Sequence, residues 1–230
     1  GGIYDYAHSI IDSIIVYPEP IADFSAPTEG CVLESITFNY NSSINTTIPG
    51  IPGQIINKVD WIVEDPSGLT TDYLNFGPNN LITSFNSSGI WKVTLIVESG
   101  EGCTDIITKN ITIHDLPQAG FIMIPDSSCF GVDPSIFDGD SVSQNSNSGN
   151  INLWQWDFDN DGVYDFTAGN GSSHWPFPNS GNYPVTLTVT DDNGCVDETT
   201  DTINIVPGIT ADFLFQNACQ GLPTIMDGAL

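Results

Sequence analysis

The chain has 230 residues, 40% of them hydrophobic, with a mean hydropathy of −0.02, a balance that fits a folded soluble protein of one large or two ordinary domains. Twenty-nine Asp and Glu residues face three lysines (Lys58, Lys92, Lys109) and no arginine, giving a formal charge of −26. So acidic a surface repels nucleic-acid phosphates and anionic lipid headgroups and lacks the cationic clamps that hold phosphorylated substrates, so nucleic-acid and membrane partners are excluded while divalent cations are attracted.

In chain order, residues 1–17 come first and hold the most apolar run, SIIDSIIVY (9–17). It is broken by Asp12 and far shorter than the ~20 residues of a membrane helix. No basic n-region followed by an apolar core opens the chain, so no signal peptide is read. DSIIVYPEPIADF (12–24) aligns with DTINIVPGITADF (201–213), so residues 1–17 are expected to be the last strands of a preceding repeat. Residues 18–115 form the first complete unit. ITFNY (36–40) and VTLIV (93–97) alternate polar and apolar residues, as half-buried strands do, and SGEG (99–102) marks a turn ahead of Cys103. Residues 116–207 form the second unit, with VTLTV (185–189), the turn DDNG (191–194) ahead of Cys195, and INIV (203–206).

The two units are copies. GIWKVTLIVESGEGCTDIITKNITIHDLPQAGF (89–121) matches GNYPVTLTVTDDNGCVDETTDTINIVPGITADF (181–213) without a gap, Cys103 falling on Cys195. A shorter segment recurs three times, as ADFSAPTEGC (22–31), AGFIMIPDSSC (119–129) and ADFLFQNAC (211–219), so residues 208–230 are expected to begin a following repeat. No stretch carries a 3.6-residue period with helix caps. About seven short strands in ~90 residues, with Trp61 or Trp156 on a central strand, predict an all-β fold of tandem immunoglobulin-like sandwiches. Short proline-containing linkers, YPEPI (17–21), HDLPQ (114–118) and VPGIT (206–210), are expected to limit bending and give an elongated array.

One stretch of the second unit stands apart. In WDFDNDGVYDF (156–166), Asp157, Asp159, Asp161, Gly162, Val163 and Asp165 occupy positions 1, 3, 5, 6, 7 and 9 of an EF-hand-like loop. Carboxylates at 1, 3, 5 and 9 and the Val163 carbonyl at 7 are the expected ligands, and the glycine permits the sharp turn. Position 12 is Ala168, so the bidentate glutamate is missing and water or another loop (Asn147 or Ser148) would complete the shell. Hard oxygen ligands without Cys or His select Ca²⁺ over zinc. The competing reading is a solvated acidic turn that only closes a hairpin.

Catalysis finds little support. No aspartate pair is singled out across a cleft, as glycoside hydrolysis requires, and His8, His114 and His174 lie in strands or loops with no G-x-S-x-G nearby. Trp154, Trp156 and Trp175 would make a sugar-binding platform if exposed, though Trp156 alternates with Phe158 as a core residue does. The five cysteines lack CxxC spacing and follow the repeat, which predicts disulfides and an oxidising, extracellular compartment. Cys31–Cys103 and Cys129–Cys195 is the simpler pairing, with Cys219 left for a partner elsewhere. The alternative is Cys31 with Cys195, because a plain sandwich puts the first connection and the last hairpin turn at opposite ends, beyond the ~7 Å that a bridge spans. Glycosylation patterns occur (N-x-[ST] at Asn41, Asn45, Asn86, Asn110 and Asn170; D-[ST]-apolar at Ser13, Ser141 and Thr202) but are short enough to arise by chance.

INLWQWDFDNDGVYDF, SSHWPFPNSGNYPVTLTVTDDNGC and the strand G-x-Y-x-V-x-L-x-V resemble the PKD domain, over residues 118–207. Residues 21–115 resemble it more weakly, since VDWIVEDPSG keeps the tryptophan and loses the aspartate-glycine signature. A cysteine ahead of the second strand and GC in the last hairpin are similar to PKD arrays of Bacteroidetes cell-surface adhesins of the SprB gliding-motility type. The resemblance implies a non-enzymatic, secreted segment at the cell surface, exported by type IX secretion. Its implied partners are neighbouring repeats and extracellular glycans or surfaces, and it also implies that His174 packs inside. A carbohydrate-binding accessory region of a secreted hydrolase, and an S-layer or matrix protein, are the alternatives.

Overall fold

A computed structural model describes residues 15–46, 53–124, 128–130, 135–209, 212–215, 220 and 226–229. His8, Cys219 and most of the segment 1–17 lie outside the described residues. The chain divides into two compact units, Gly1–His114 and Asp115–Leu230. Among the described residues every regular element is a strand.

The first unit contains β1 (Pro20–Ile21), β2 (Phe24–Ser25), β3 (Glu29–Cys31), β4 (Ser35–Tyr40), β5 (Ser43–Ile44), β6 (Ile56–Glu64), β7 (Thr70–Tyr73), β8 (Leu81–Ser84), β9 (Gly89–Ser99) and β10 (Thr104–His114). A five-stranded sheet of order β3-β10-β9-β6-β7 faces a three-stranded sheet of order β2-β4-β8. Period-two alternation drives the assembly: Trp91, Val93, Leu95 and Val97 of β9 point inward while their neighbours face out. Trp61, fully buried on central β6, sits 5.1 Å from the ring of Phe24 on the opposite sheet. The core is closed by Ile36, Phe38, Leu81 and Phe85 from one side and Ile111 and Ile113 from the other.

The second unit contains β11 (Ile122–Ile124), β12 (Ser128–Cys129), β13 (Ser135–Asp138), β14 (Ile151–Asp157), β15 (Phe166–Ala168), β16 (Ser172–Trp175), β17 (Gly181–Asp191), β18 (Val196–Val206), β19 (Asp212–Phe215) and β20 (Met226–Ala229). It repeats the plan, with sheets β12-β18-β17-β14-β15 and β11-β13-β16, while β19 and β20 form a separate antiparallel pair. The sequence offset is kept in space. Trp61 pairs across the ladder with Leu95, and Trp156 with Leu187. In both units an aspartate on the last long strand holds the segment beside the first strands: Asp105 accepts the Ala22 N–H and Asp197 the Ala119 N–H, each at 2.8 Å.

The short edge strand overturns the simpler cysteine pairing. β3 runs parallel to β10, with Cys31 beside His114, and β12 runs parallel to β18, with Cys129 beside Val206. Cys103 and Cys195 lie in the turns at the other ends of those strands. Each is separated from its expected partner by an eleven-residue strand. That is roughly 33 Å at about 3.3 Å per residue, against the ~7 Å that a disulfide spans. Cys31–Cys103 and Cys129–Cys195 therefore do not form: Cys31 and Cys195 are disulfide-bonded, and Cys103 and Cys129 are free.

Candidate cation-binding loop

The acidic stretch leaves the sheet at the end of β14, makes a turn, and returns as β15. Its stem is anchored by the core. Trp156 and Phe158 are fully buried and stack at 5.5 Å with an interplanar angle of 2°, and Phe158 stacks in turn on Trp175 at 4.8 Å. The Asp165 N–H donates to the Trp156 carbonyl at 2.8 Å, which closes the hairpin. Asn160 and Gly162 take left-handed conformations, with φ of 56° and 85°, the fold of chain that asparagine and glycine tolerate best.

The aspartates divide by task. Asp157 is 5% exposed and accepts N–H bonds from Asp161 at 3.3 Å and Gly162 at 2.9 Å, holding the turn against the sheet. Asp165 accepts the Phe158 N–H at 2.7 Å and fixes the stem. Asp161 accepts the Val163 N–H at 2.8 Å, a local turn bond. Asp159 is exposed. One carboxylate oxygen from each of Asp157, Asp159 and Asp165 lies within 4.8 Å of the others. Of the four expected carboxylates the structure thus gathers three, while Asp161 accepts from the backbone N–H of Val163, the residue whose carbonyl was the fifth expected ligand. The Asp159 carboxyl is held above the ordinary aspartate range, by loss of solvent first and by the charges of Asp161, Asp165 and Asp157 next.

Counter-charge is scarce. All three lysines of the chain belong to the first unit, where each finds a carboxylate: Lys58 with Asp60 at 2.9 Å, Lys92 with Glu64 at 2.7 Å and Lys109 with Asp23 at 3.2 Å. The second unit has neither lysine nor arginine. The corresponding turn of the first unit forms without the cluster. There Asp65 accepts the N–H groups of Ser67 and Leu69 and the Ser67 hydroxyl, which together hold its carboxyl below the usual range.

Beside the loop lies an open depression of about 260 Å³, lined by Asp157, Asn160, Tyr164, Thr186, Glu198 and Thr200 among others. Sequence reasoning missed Glu198; its signal was the pairing of the two long strands, which sets Thr188 opposite Glu198 and Thr186 opposite Thr200. The tryptophan platform does not exist. Trp156 and Trp154 are buried, and Trp175 lies half-buried on the Phe158 ring. The exposed aromatics near the loop are Tyr164 and Phe166 instead. His174 also departs from expectation: alternation along β16 turns Ser173 inward, so His174 faces solvent. His114 is half-buried with Nε2 3.4 Å from Glu29.

The family model of the PKD domain matches residues 124–206, inside the stretch whose motifs resemble it. Among solved structures, the PKD1 domain from Vibrio cholerae metalloprotease PrtV is 30% identical, covering 40% of this chain and 98% of its own, with a TM-score of 0.31. The PKD1 domain of Vibrio anguillarum Epp is 24% identical over 41% of this chain and 99% of its own, with a TM-score of 0.32. The fibronectin(III)-like modules of Clostridium thermocellum CbhA are 10% identical over 82% of this chain and 94% of theirs, with a TM-score of 0.42. No curated protein matches the sequence.

Proposed function

We propose that this chain is a non-catalytic repeat segment of a large secreted adhesin at the cell surface, of the gliding-motility type, in which sandwiches act as spacers and calcium stiffens the loop of the second one. The observation that carries the calcium assignment is the gathering of carboxylate oxygens from Asp157, Asp159 and Asp165 within 4.8 Å, in a unit that contains no lysine or arginine. Three carboxylates so close repel one another, and a divalent cation with oxygen ligands is the partner that removes the repulsion. Asp157 and Asp165 are already oriented by backbone N–H groups, so a cation would find two ligands preorganised and recruit exposed Asp159 as a third.

The spacer role is supported by the construction of the units. Two sandwiches of one plan follow each other in the chain, each with its own aromatic core. No helix among the described residues is long and apolar enough to cross a membrane. That Cys31 and Cys195 are each disulfide-bonded is in keeping with an oxidising exterior.

Calorimetric titration tests the assignment. Calcium added to chelator-stripped protein is expected to bind at one site per chain, and Asp159→Ala to abolish the heat while leaving the melting of the calcium-free protein within about 0.5 kcal/mol, as for exposed positions generally. Absence of heat from the wild-type chain would remove calcium from the account.

A further inference from the structure

We propose that the second sandwich carries a binding site for a primary ammonium group on its open side, where Phe121 and Asp201 face one another across the gap between the two sheets. The ligand is an alkylammonium, either the side chain of a lysine or a free amine. The first unit fills the same place with a lysine of its own, and the second repeats the cradle without one. The site shares no residue with the acidic loop, and it does not rest on the calcium proposal.

The cradle is built alike in both units. In the first, Phe24 packs edge-on against Trp61 at 5.1 Å and lies 6.1 Å from Phe38. In the second, Phe121 packs edge-on against Trp156 at 5.2 Å and lies 6.2 Å from Phe137. Two residues ahead of each ring, the backbone is tied to the last long strand by the Asp105 or the Asp197 carboxylate. Four residues beyond that carboxylate, on the same inward-turned side of the strand, stand Lys109 in β10 and Asp201 in β18.

Lys109 shows what the cradle holds. Its ammonium lies 4.7 Å from the centre of the Phe24 ring, donates to the Phe24 carbonyl and meets the Asp23 carboxylate at 3.2 Å. A ring face, a carbonyl and a carboxylate together suit an ammonium head. Beneath this cover Phe24 is 1% exposed.

The second unit keeps the ring and moves the carboxylate. Gly120 stands where Asp23 does, and Asp201 where Lys109 does. Instead of a lysine stem there is a cavity of about 290 Å³, lined by Phe121, Ile122, Met123, Asp201 and Ile203 among others, and Phe121 is only half-buried. An inward-turned carboxylate beside an aromatic ring, in a unit with neither lysine nor arginine, is complementary to a cation supplied from outside that unit. Met123 and Ile203 give an apolar wall for the methylenes of such a ligand, while the Phe121 ring and Asp201 receive its head. A calcium ion suits the place less well, because one carboxylate is far short of the about six to eight oxygen ligands that it takes. The competing account is that Asp201 only guards an open sheet edge, as inward charges do, and it predicts no affinity for amines.

Titration of the full chain followed by amide NMR, in chelator, separates the two. n-Butylammonium chloride is expected to shift the Ile122, Thr202 and Ile203 amides saturably, whereas butan-1-ol leaves them in place. Nα-acetyl-lysine methylamide identifies the source: shifts like those of butylammonium assign the site to lysine side chains, and shifts with butylammonium alone assign it to a small amine. Asp201→Asn is expected to weaken the affinity about tenfold, as loss of a charged partner does. Asp201→Lys is expected to occupy the cavity as Lys109 does and to abolish the butylammonium shifts. Conversely, Lys109→Ala is expected to create such shifts at Ser25 in the first unit. Shifts that do not saturate, shifts confined to residues 157–165, or equal affinity in Asp201→Asn would overturn the proposal.

Discussion

Single carboxylates do different work in this chain according to the donors around them. Asp65 takes three hydrogen bonds from Ser67 and Leu69, so its folded carboxyl titrates below the ordinary value. A depressed carboxyl pKa stabilises the fold above the unfolded pKa, and the contribution is lost as pH falls through the folded one. Asp65→Asn is therefore expected to lower the Tm at pH 7, with the difference from wild type shrinking below about pH 4, as thermal scans across pH would show. A difference that grew on acidification would contradict the sign. Phe158 carries a different load. It is fully buried between Trp156 and Trp175, and truncation to alanine is expected to cost about 3 to 5 kcal/mol in denaturant unfolding of the second unit. The burial of Phe158 was legible as a step of two from Trp156. The division of labour among the aspartates was not, because the spacing that fits a calcium loop equally permits Asp161 to bond its own turn at Val163.

The long strands were the most legible elements. β9, β10, β17 and β18 repeat an alternation of eleven residues each, and the match of 89–121 to 181–213 fixes both hairpins together. The edge strands β3 and β12 were hidden, since a parallel pairing of two or three residues leaves no periodic signal; yet that pairing decides which cysteines can meet. The exposure of His174 was also missed, although the alternation around Ser173 carried it. Between elements, the Asp197 carboxylate holds the amide of Ala119 at 2.8 Å, as Asp105 holds that of Ala22. A hydrogen bond to a charged group contributes about 1.5 kcal/mol or more. Asp197→Ala is accordingly expected to speed hydrogen exchange at Ala119 roughly tenfold while β17 amides stay protected. Unchanged exchange at Ala119 would show that the first strand is held by other means.

At the scale of the whole chain, acidity and repetition were plain in the sequence, and the all-β class followed from the period-two alternation of the repeated strands. Three lysines, all in the first unit, leave the second with carboxylates and no fixed cation. A ligand that binds only the folded state stabilises it by about 2.7 kcal/mol at a hundredfold excess over Kd, which raises the Tm of a domain of this size by several degrees. On the proposed reading, calcium at the loop would couple the stability of the second sandwich to the outside medium, while the corresponding turn of the first lacks the gathered carboxylates. The measurement that tests this most directly is thermal melting in calcium and in chelator, for wild type and Asp159→Ala. The account predicts a transition that rises by several degrees in calcium for the wild-type chain and does not move for Asp159→Ala. A wild-type Tm that is the same in calcium and in chelator would contradict it.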